Sequence, residues 1–363
     1  MDEIHLRVEA AIAAFARGEI VVVTDDDDRE NEGDLFVAAS LCTPDKMAFI
    51  IRNTSGIVCA PLASDEAKRL NLNPMVALND APLGTAFTVT VDVRHGLTTG
   101  ISAEERNNTV RALANGNSGA NDFVRPGHVF PLVAKDGGVL MRSGHTEACV
   151  DMCRLAGLPP VGVLAELMSD DGTVMRGPTV AAFAEKHKLT RLSIADIISY
   201  RQVRDKLVTR IREFPVQSEI GTLTGYAYVT AFDNVHHMAF VHGRIGDGEN
   251  VLARLHRPDI IRDVFGGANP VHAVLRQFKA DGRGVIVYLR DGAAGVPTNE
   301  IPQEGATNSE AARSRQWREI GLGAQILKDL GISSIRLITS RKLRYVGLAG
   351  FGIEIKDTVP LEG

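Results

Sequence analysis

The first stretch of the chain sets Ile4, Val8, Ala11, Ile12 and Phe15 on one side of a helical period. That spacing predicts an amphipathic helix over residues 4–17, ended by Gly18. The β-branched run Ile20-Val21-Val22-Val23 then reads as a strand, and 35–39, after a polar loop, as a second. Val58, residues 87–91 and residues 129–133 lie in further strand candidates. Helices are predicted over 146–156, 179–187 and 193–203. Strands and helices mix without a regular βαβ repeat, so the fold reads as α+β, with mixed α/β sheets rather than a barrel.

A boundary is read near residues 203–216. The charged helix end over 201–212 runs into Glu213-Phe214-Pro215-Val216, an extended pre-proline segment. A strand-rich pattern then starts, with strands over 221–231, 237–243, 251–256, 285–289 and 335–339. A helix over 317–330 lies between the last two. With 363 residues the chain is too long for one ordinary core. Two α+β domains are expected, residues 1–205 and 206–363.

The hydrophobic fraction, 44%, is normal for a protein that buries real cores. A net charge of −5 offers no general basic surface, so neither nucleic acid nor an anionic membrane is an expected partner. The start Met1-Asp2-Glu3-Ile4-His5 has no basic, apolar leader pattern, and no stretch approaches the ~20 apolar residues of a membrane span. A cytoplasmic location is the default expectation. The four cysteines, Cys42, Cys59, Cys149 and Cys153, all precede residue 154. His145, Cys149 and Cys153 recur at helical spacing on one face. Two readings stay open there: a metal cluster, or a helix face packed with small thiols.

The densest chemistry is Thr24-Asp25-Asp26-Asp27-Asp28-Arg29-Glu30-Asn31-Glu32-Gly33-Asp34, with seven carboxylates in ten positions. Such a loop repels itself unless cations or solvent screen it. A solvated acidic turn is the plain reading. Anchoring between two buried strands favours a site instead, because sites sit on loops held by rigid scaffolds. Hard oxygen donors in excess suit magnesium, and the spacing excludes an EF-hand.

The same run resembles the signature loop of the 3,4-dihydroxy-2-butanone 4-phosphate synthases of riboflavin biosynthesis, with Asp27 standing where the family usually has Glu. Further blocks follow in family order: Ser55-Gly56-Ile57-Val58-Cys59, Thr85-Ala86-Phe87-Thr88-Val89-Thr90-Val91-Asp92, Thr98-Thr99-Gly100-Ile101-Ser102, Arg125-Pro126-Gly127-His128-Val129-Phe130-Pro131-Leu132, Arg142-Ser143-Gly144-His145-Thr146-Glu147-Ala148 and Leu164-Ala165-Glu166-Leu167. The resemblance runs over about residues 4–203 and implies an enzyme. Its reaction turns D-ribulose 5-phosphate into L-3,4-dihydroxy-2-butanone 4-phosphate and formate.

The resemblance also implies roles. Glu30 and His145 would hold the metal, a pair of Mg²⁺ or Mn²⁺ ions. Arg29, Glu30, Asp34, Arg142, Ser143, Gly144, His145, Thr146 and Glu166 would bind the substrate. His128, Glu166 and Cys59 would serve catalysis. Enolisation, loss of a hydroxyl, a skeletal shift and excision of one carbon each need a proton moved beside a Lewis acid. Alone, His128 and His145 read as structural histidines, Arg29 and Arg142 as surface arginines, Glu166 as a surface carboxylate and Cys59 as core. At a predicted helix start, Thr146 is placed to cap the helix behind His145. A homodimer is expected.

Residues 208–363 resemble GTP cyclohydrolase II through Gly282-Arg283-Gly284-Val285-Ile286-Val287-Tyr288, Arg318-Glu319-Ile320-Gly321-Leu322-Gly323-Ala324-Gln325-Ile326-Leu327 and Gly347-Leu348-Ala349-Gly350-Phe351-Gly352-Ile353-Glu354. The departures fall on that family's zinc thiolates. His256-Arg257-Pro258-Asp259 stands where the first cysteine belongs, and the other positions fall on Pro270 and His272. No cysteine follows Cys153, so a three-thiolate site is impossible there and no zinc is expected. His256, Asp259 and His272 remain as a different possible metal set. Arg290-Asp291-Gly292-Ala293-Ala294-Gly295 replaces the family's Gln-Glu-Gly-Arg loop. The expectation is a synthase with an inactive second domain. The alternatives are a bifunctional enzyme that also opens GTP, and a binding protein in which both sites have decayed.

Overall fold

The computed structural model describes residues 3–25, 30–230, 235–259, 261–265, 269–290, 321–339 and 352–361. The chain divides into two compact units, Met1–Arg201 and Gln202–Gly363, each on its own seven-stranded mixed sheet. No helix among the described residues is long and apolar enough to cross a membrane.

The first unit contains strands β1 (Val21–Thr24), β2 (Gly33–Ala38), β3 (Cys59–Leu62), β4 (Val91–Val93), β5 (Phe123–Val133), β6 (Gly162–Glu166) and β7 (Thr190–Ser193). Their spatial order is β4-β5-β3-β6-β2-β1-β7. The pairs β1–β7 and β3–β5 are parallel and the others antiparallel. The helices are α1 (Glu3–Ala16), α2 (Pro44–Asn53), α3 (Ser64–Arg69), α4 (Ala103–Leu113), α5 (His145–Leu155), α6 (Pro178–His187) and α7 (Ile194–Arg204).

Val21, Val22, Val23, Leu35, Phe36 and Val37 are all fully buried. Neighbouring residues of a strand point to opposite faces, so both faces of the sheet are covered here. That is why β1 and β2 read as unbroken apolar runs rather than as alternation. Each such side chain contributes about 1.5–3 kcal/mol by leaving water. Met47 and Ile50 of α2, Val110 and Leu113 of α4 and Val180 of α6 complete the core around Val22, Leu35 and Val37. Helix α5 packs against β2, β3 and β6 and also meets α1, and every residue from His145 to Cys153 is buried. Cys149 and Cys153 are among them, and the Cys149 thiol approaches the Val163 carbonyl at 3.8 Å. These thiols therefore pack the helix onto β6.

The second unit contains β8 (Val208–Ser218), β9 (Gly221–Thr230), β10 (His237–His242), β11 (Val251–His256), β12 (Gly284–Tyr288), β13 (Ser334–Thr339) and β14 (Glu354–Pro360), in the order β14-β13-β11-β12-β10-β9-β8. Helix α8 (Pro270–Asp281) is capped by Asn269, whose side chain accepts from the amides of Val271 and His272. Residues 321–329 are helical, matching the expected helix there; residues 317–320 lie outside the described residues, as do 291–295 and 347–351.

Two local expectations need correction. Of residues 87–91 only Val91 enters a named strand, while Phe87 and Thr88 form single bridges to Leu132 and Pro74. The amides of Thr88 and Val89 bond to Pro131 and Asn73 in turn, so no continuous ladder forms. The helix expected over 201–212 ends at Arg204, and Val208 opens β8. Gln325 holds the turn between them, accepting from the Leu207 amide at 2.7 Å and donating to the Gln202 and Asp205 carbonyls. Most of β8 is exposed at a sheet edge, so its charged residues carry no strand period to read.

Candidate active site

Register gathers the candidate residues of the first unit at one end of its sheet. Thr24 pairs with Gly33 across β1 and β2, and Asp34 pairs with Glu166 across β2 and β6. Cys59 lies opposite both Leu164 of β6 and Phe130 of β5. The acidic loop, Glu166, Cys59 and the stretch of β5 before Phe130 thus share one edge. Local sequence spacing could not have shown this.

Asp25 shapes the loop from inside. Its carboxylate accepts the amides of Glu30 at 3.0 Å and Glu32 at 2.8 Å. This folds the loop back so that Glu30 faces the start of α5, with Glu30 Oε2 3.6 Å from His145 Nδ1. His145 Nε2 lies 3.9 Å from Asp34 Oδ1 on the other side of the ring. Ligand atoms of Asp25, Glu30 and His145 all fall within 4.8 Å of one another, the one such group of three among the described residues. The acidic run includes Asp25 without marking it out for a role; its place directly after β1 is the available signal.

Asp34 is 2% exposed, and its Oδ1 has no hydrogen-bond partner among the described residues. Burial pushes its carboxyl up to about 7; His145 opposes this, and Glu166, Glu30 and Glu32 add to it. A buried carboxylate oxygen without a donor, beside an imidazole and three further carboxylates, is a setting that a divalent cation would relieve. Hard oxygens with one imidazole suit Mg²⁺ or Mn²⁺. The residues present therefore fit the group that the loop chemistry implies.

Glu166 ends β6, half-buried, and its carboxylate accepts the Ser55 hydroxyl at 2.8 Å. The Ser55 amide also donates to the Glu166 carbonyl, so the block 55–59 is tied to that strand end. Cys59 is fully buried; desolvation first, then Glu166 and Asp34, push its thiol well up, which keeps it protonated. His128 lies on β5 with its ring 2.7 Å from the buried Asp92 carboxylate.

The start of α5 carries the remaining candidates. Arg142 donates to Glu147 at 2.6 Å, to the Leu83 carbonyl and to the Thr85 hydroxyl. Its Nη atoms are thus engaged inside the protein. Gly144 is the N-cap, and a Cβ there would lie 2.2 Å from Arg142 Nη1. A side chain there would press on the Arg142–Glu147 pair as it closes over the helix start. The helix consequently begins at His145, so Thr146 is a buried residue of its first turn and not its cap. Ser143 is half-buried beside them. Arg29 lies outside the described residues.

In the second unit, His256 Nε2 meets Asp263 at 2.9 Å and stacks on Tyr288. His272 instead pairs with Glu219 at 2.6 Å, from the exposed first turn of α8. Among the described residues no metal-ligating group of three includes His256, Asp259 or His272. With no cysteine beyond Cys153, a three-thiolate zinc site cannot form in this unit.

The fold is a two-unit α/β one, and its first unit carries an acidic, imidazole-containing candidate site. The family model of 3,4-dihydroxy-2-butanone 4-phosphate synthase matches residues 9–200, and that of GTP cyclohydrolase II matches residues 209–360. A bifunctional riboflavin biosynthesis protein of Arabidopsis thaliana is 45% identical over 98% of this chain and 68% of its own length. A monofunctional riboflavin biosynthesis protein of the same plant is 43% identical, over 98% of this chain and 76% of its own. The crystal structure of RibBX, a two-domain 3,4-dihydroxy-2-butanone 4-phosphate synthase from A. baumannii, superposes with a TM-score of 0.82 at 36% identity, covering 97% of this chain and 99% of that one. A 3,4-dihydroxy-2-butanone 4-phosphate synthase in complex with two magnesium ions matches at a TM-score of 0.54 and 44% identity, over 55% of this chain and 99% of its own. The chain belongs to the 3,4-dihydroxy-2-butanone 4-phosphate synthase family, with a GTP cyclohydrolase II unit following the synthase domain.

Proposed function

We propose that this chain converts D-ribulose 5-phosphate to L-3,4-dihydroxy-2-butanone 4-phosphate and formate, with residues 1–205 as the catalytic domain. The observation that carries the reading is Glu30 set against His145 beside the buried Asp34 carboxyl. Glu30 and His145 hold the divalent metal, a pair of Mg²⁺ or Mn²⁺ ions. When bound, the metal supplies a Lewis acid for adjacent substrate oxygens.

The chain's own residues do the rest. Asp34 and the segment leading into α5, from Ser143 through Thr146, bind the sugar phosphate, joined by Arg29. Arg142 shapes that segment through Glu147 and adds positive charge to it. Glu166, fixed by Ser55, and His128 move protons at the substrate's carbons and hydroxyls. Cys59 acts as a neutral thiol walling the site beside Glu166 and Asp34. The two products together contain every atom of the substrate, so proton shifts and a carbon excision suffice without an outside oxidant.

We further propose that residues 206–363 no longer hydrolyse GTP. The support is the lack of any cysteine after Cys153 and the engagement of His256 and His272 by separate carboxylates. A bifunctional enzyme is the competing reading, favoured by the match of this unit to GTP cyclohydrolase II and by bifunctional relatives. Metal analysis of the purified full chain, with formate and pyrophosphate measured from GTP, separates the two. Stoichiometric zinc with GTP turnover overturns the inactive reading. For the first domain, Glu30→Ala and His145→Ala should each abolish formate release from ribulose 5-phosphate while the fold is kept.

A further inference from the structure

The pairing of β4 with β5 shifts register: Val91 faces Val129, but Asp92 faces Val124. Residues 125–128 therefore leave the ladder, and His128 sits in this bulge. Bulges re-aim side chains and strand backbone amides that need other acceptors. Side chains of β4 and the residue before it supply them. Thr90 Oγ1 accepts the Gly127 amide at 3.0 Å, and Asp92 Oδ1 accepts the His128 amide at 2.9 Å. The second oxygen of the same carboxylate, Oδ2, lies 2.7 Å from His128 Nδ1.

The setting is asymmetric. The Asp92 side chain is 4% exposed and the His128 side chain 41%. Gly100, at φ +84°, closes the inner side, where a Cβ would stand 2.1 Å from Asp92 Oδ2 and 2.7 Å from His128 Nδ1. Behind the pair, the buried Arg106 donates to the Gly56 carbonyl at 2.8 Å and shares an electrostatic interaction with Asp92. The carboxylate is thus fixed on the protein side of the ring, and the far side of the ring is open.

We propose that Asp92 is a positioning residue that fixes the His128 imidazole as the Nδ1–H tautomer, leaving the Nε2 lone pair to accept a proton during turnover. A carboxylate only accepts hydrogen bonds, so Nδ1 must donate, and a neutral ring then keeps its lone pair on Nε2. During the reaction Nε2 takes a proton from the substrate, whose bonding pair stays on the substrate. The imidazolium so formed lies against Asp92 and returns the proton later. This role rests on the synthase reading above, whereas the tautomer itself does not.

Asp92→Asn is the informative variant. The asparagine carbonyl still accepts the His128 amide and keeps the bulge, but its amide now donates toward Nδ1. The ring is driven to the Nε2–H tautomer and loses its acceptor. Full chain labelled with ¹⁵N-histidine is examined by long-range ¹H–¹⁵N spectroscopy, with His128 assigned by its loss in His128→Gln. Wild type should show Nδ1–H, and Asp92→Asn should show Nε2–H. In the same variant kcat should fall roughly 10²–10⁴-fold with KM little changed. A wild-type Nε2–H tautomer overturns the proposal without any variant. So does Asp92→Asn that keeps wild-type kcat, or that loses kcat while the tautomer stays put, since Asp92 would then only hold the bulge. Wild type without synthase turnover would refute the functional reading, and the spectra would still decide the tautomer.

Discussion

Removing Glu147 tests how the first turn of α5 holds the site. Its carboxylate is 2% exposed and pairs with Arg142, itself 15% exposed, at 2.6 Å. The other oxygen accepts the Lys135 amide at 3.0 Å. In Glu147→Ala the guanidinium keeps Leu83 and Thr85 but loses its carboxylate partner, and the Lys135 amide loses its acceptor. Breaking a buried pair from one side costs about 3–5 kcal/mol, because the remaining charge stays out of water. Glu147→Gln keeps the shape and one acceptor, so about 1–3 kcal/mol is expected. Hydrogen–deuterium exchange of peptides covering α5 in the full chain reads it directly. At tenfold per 1.4 kcal/mol, Glu147→Ala should speed exchange by roughly 10²–10⁴-fold, and Glu147→Gln by less. Wild-type exchange in Glu147→Ala would refute the idea that this pair anchors the helix start behind His145.

Glu166→Ala should lower kcat for formate release by roughly 10²–10⁴-fold with the fold intact, and near-normal turnover would remove Glu166 from the proton transfers. Glu105 accepts the Thr98 amide and the Thr98 and Ser102 hydroxyls, and these bonds hold its carboxyl down to about 2 from an ordinary 4.5. A depressed folded value contributes stability that is complete above 4.5 and disappears as pH falls towards about 2. The stability difference between wild type and Glu105→Gln should therefore shrink across that window; a difference independent of pH would contradict it.

Parts of this structure were legible from the chain alone for identifiable reasons. Ile20-Val21-Val22-Val23 and Leu35-Phe36-Val37 announced buried strands because both sheet faces are covered, and Gly18 marked the end of α1 through its left-handed backbone. The seven carboxylates of residues 25–34 mark a candidate site because they repel one another unless cations or solvent screen them. The convergence of Glu30 with His145, and of His128 with Asp92, depends on strand register and on a bulge that no local spacing encodes. Thr146 was read as a cap because threonine suits that position, but the packing of Arg142 on Glu147 moves the helix start to His145. β8 was hidden because an exposed edge strand shows no apolar period. Missing cysteines were readable outright, since an absence in sequence needs no register.

The central reading is tested most directly by ¹³C NMR of uniformly labelled ribulose 5-phosphate incubated with the purified full chain and Mg²⁺. We expect stoichiometric labelled formate and a four-carbon phosphate, lost on addition of EDTA and restored by excess Mg²⁺. Undiminished turnover in EDTA would contradict the metal role of Glu30 and His145, and unchanged substrate in the presence of Mg²⁺ would contradict the synthase reading itself.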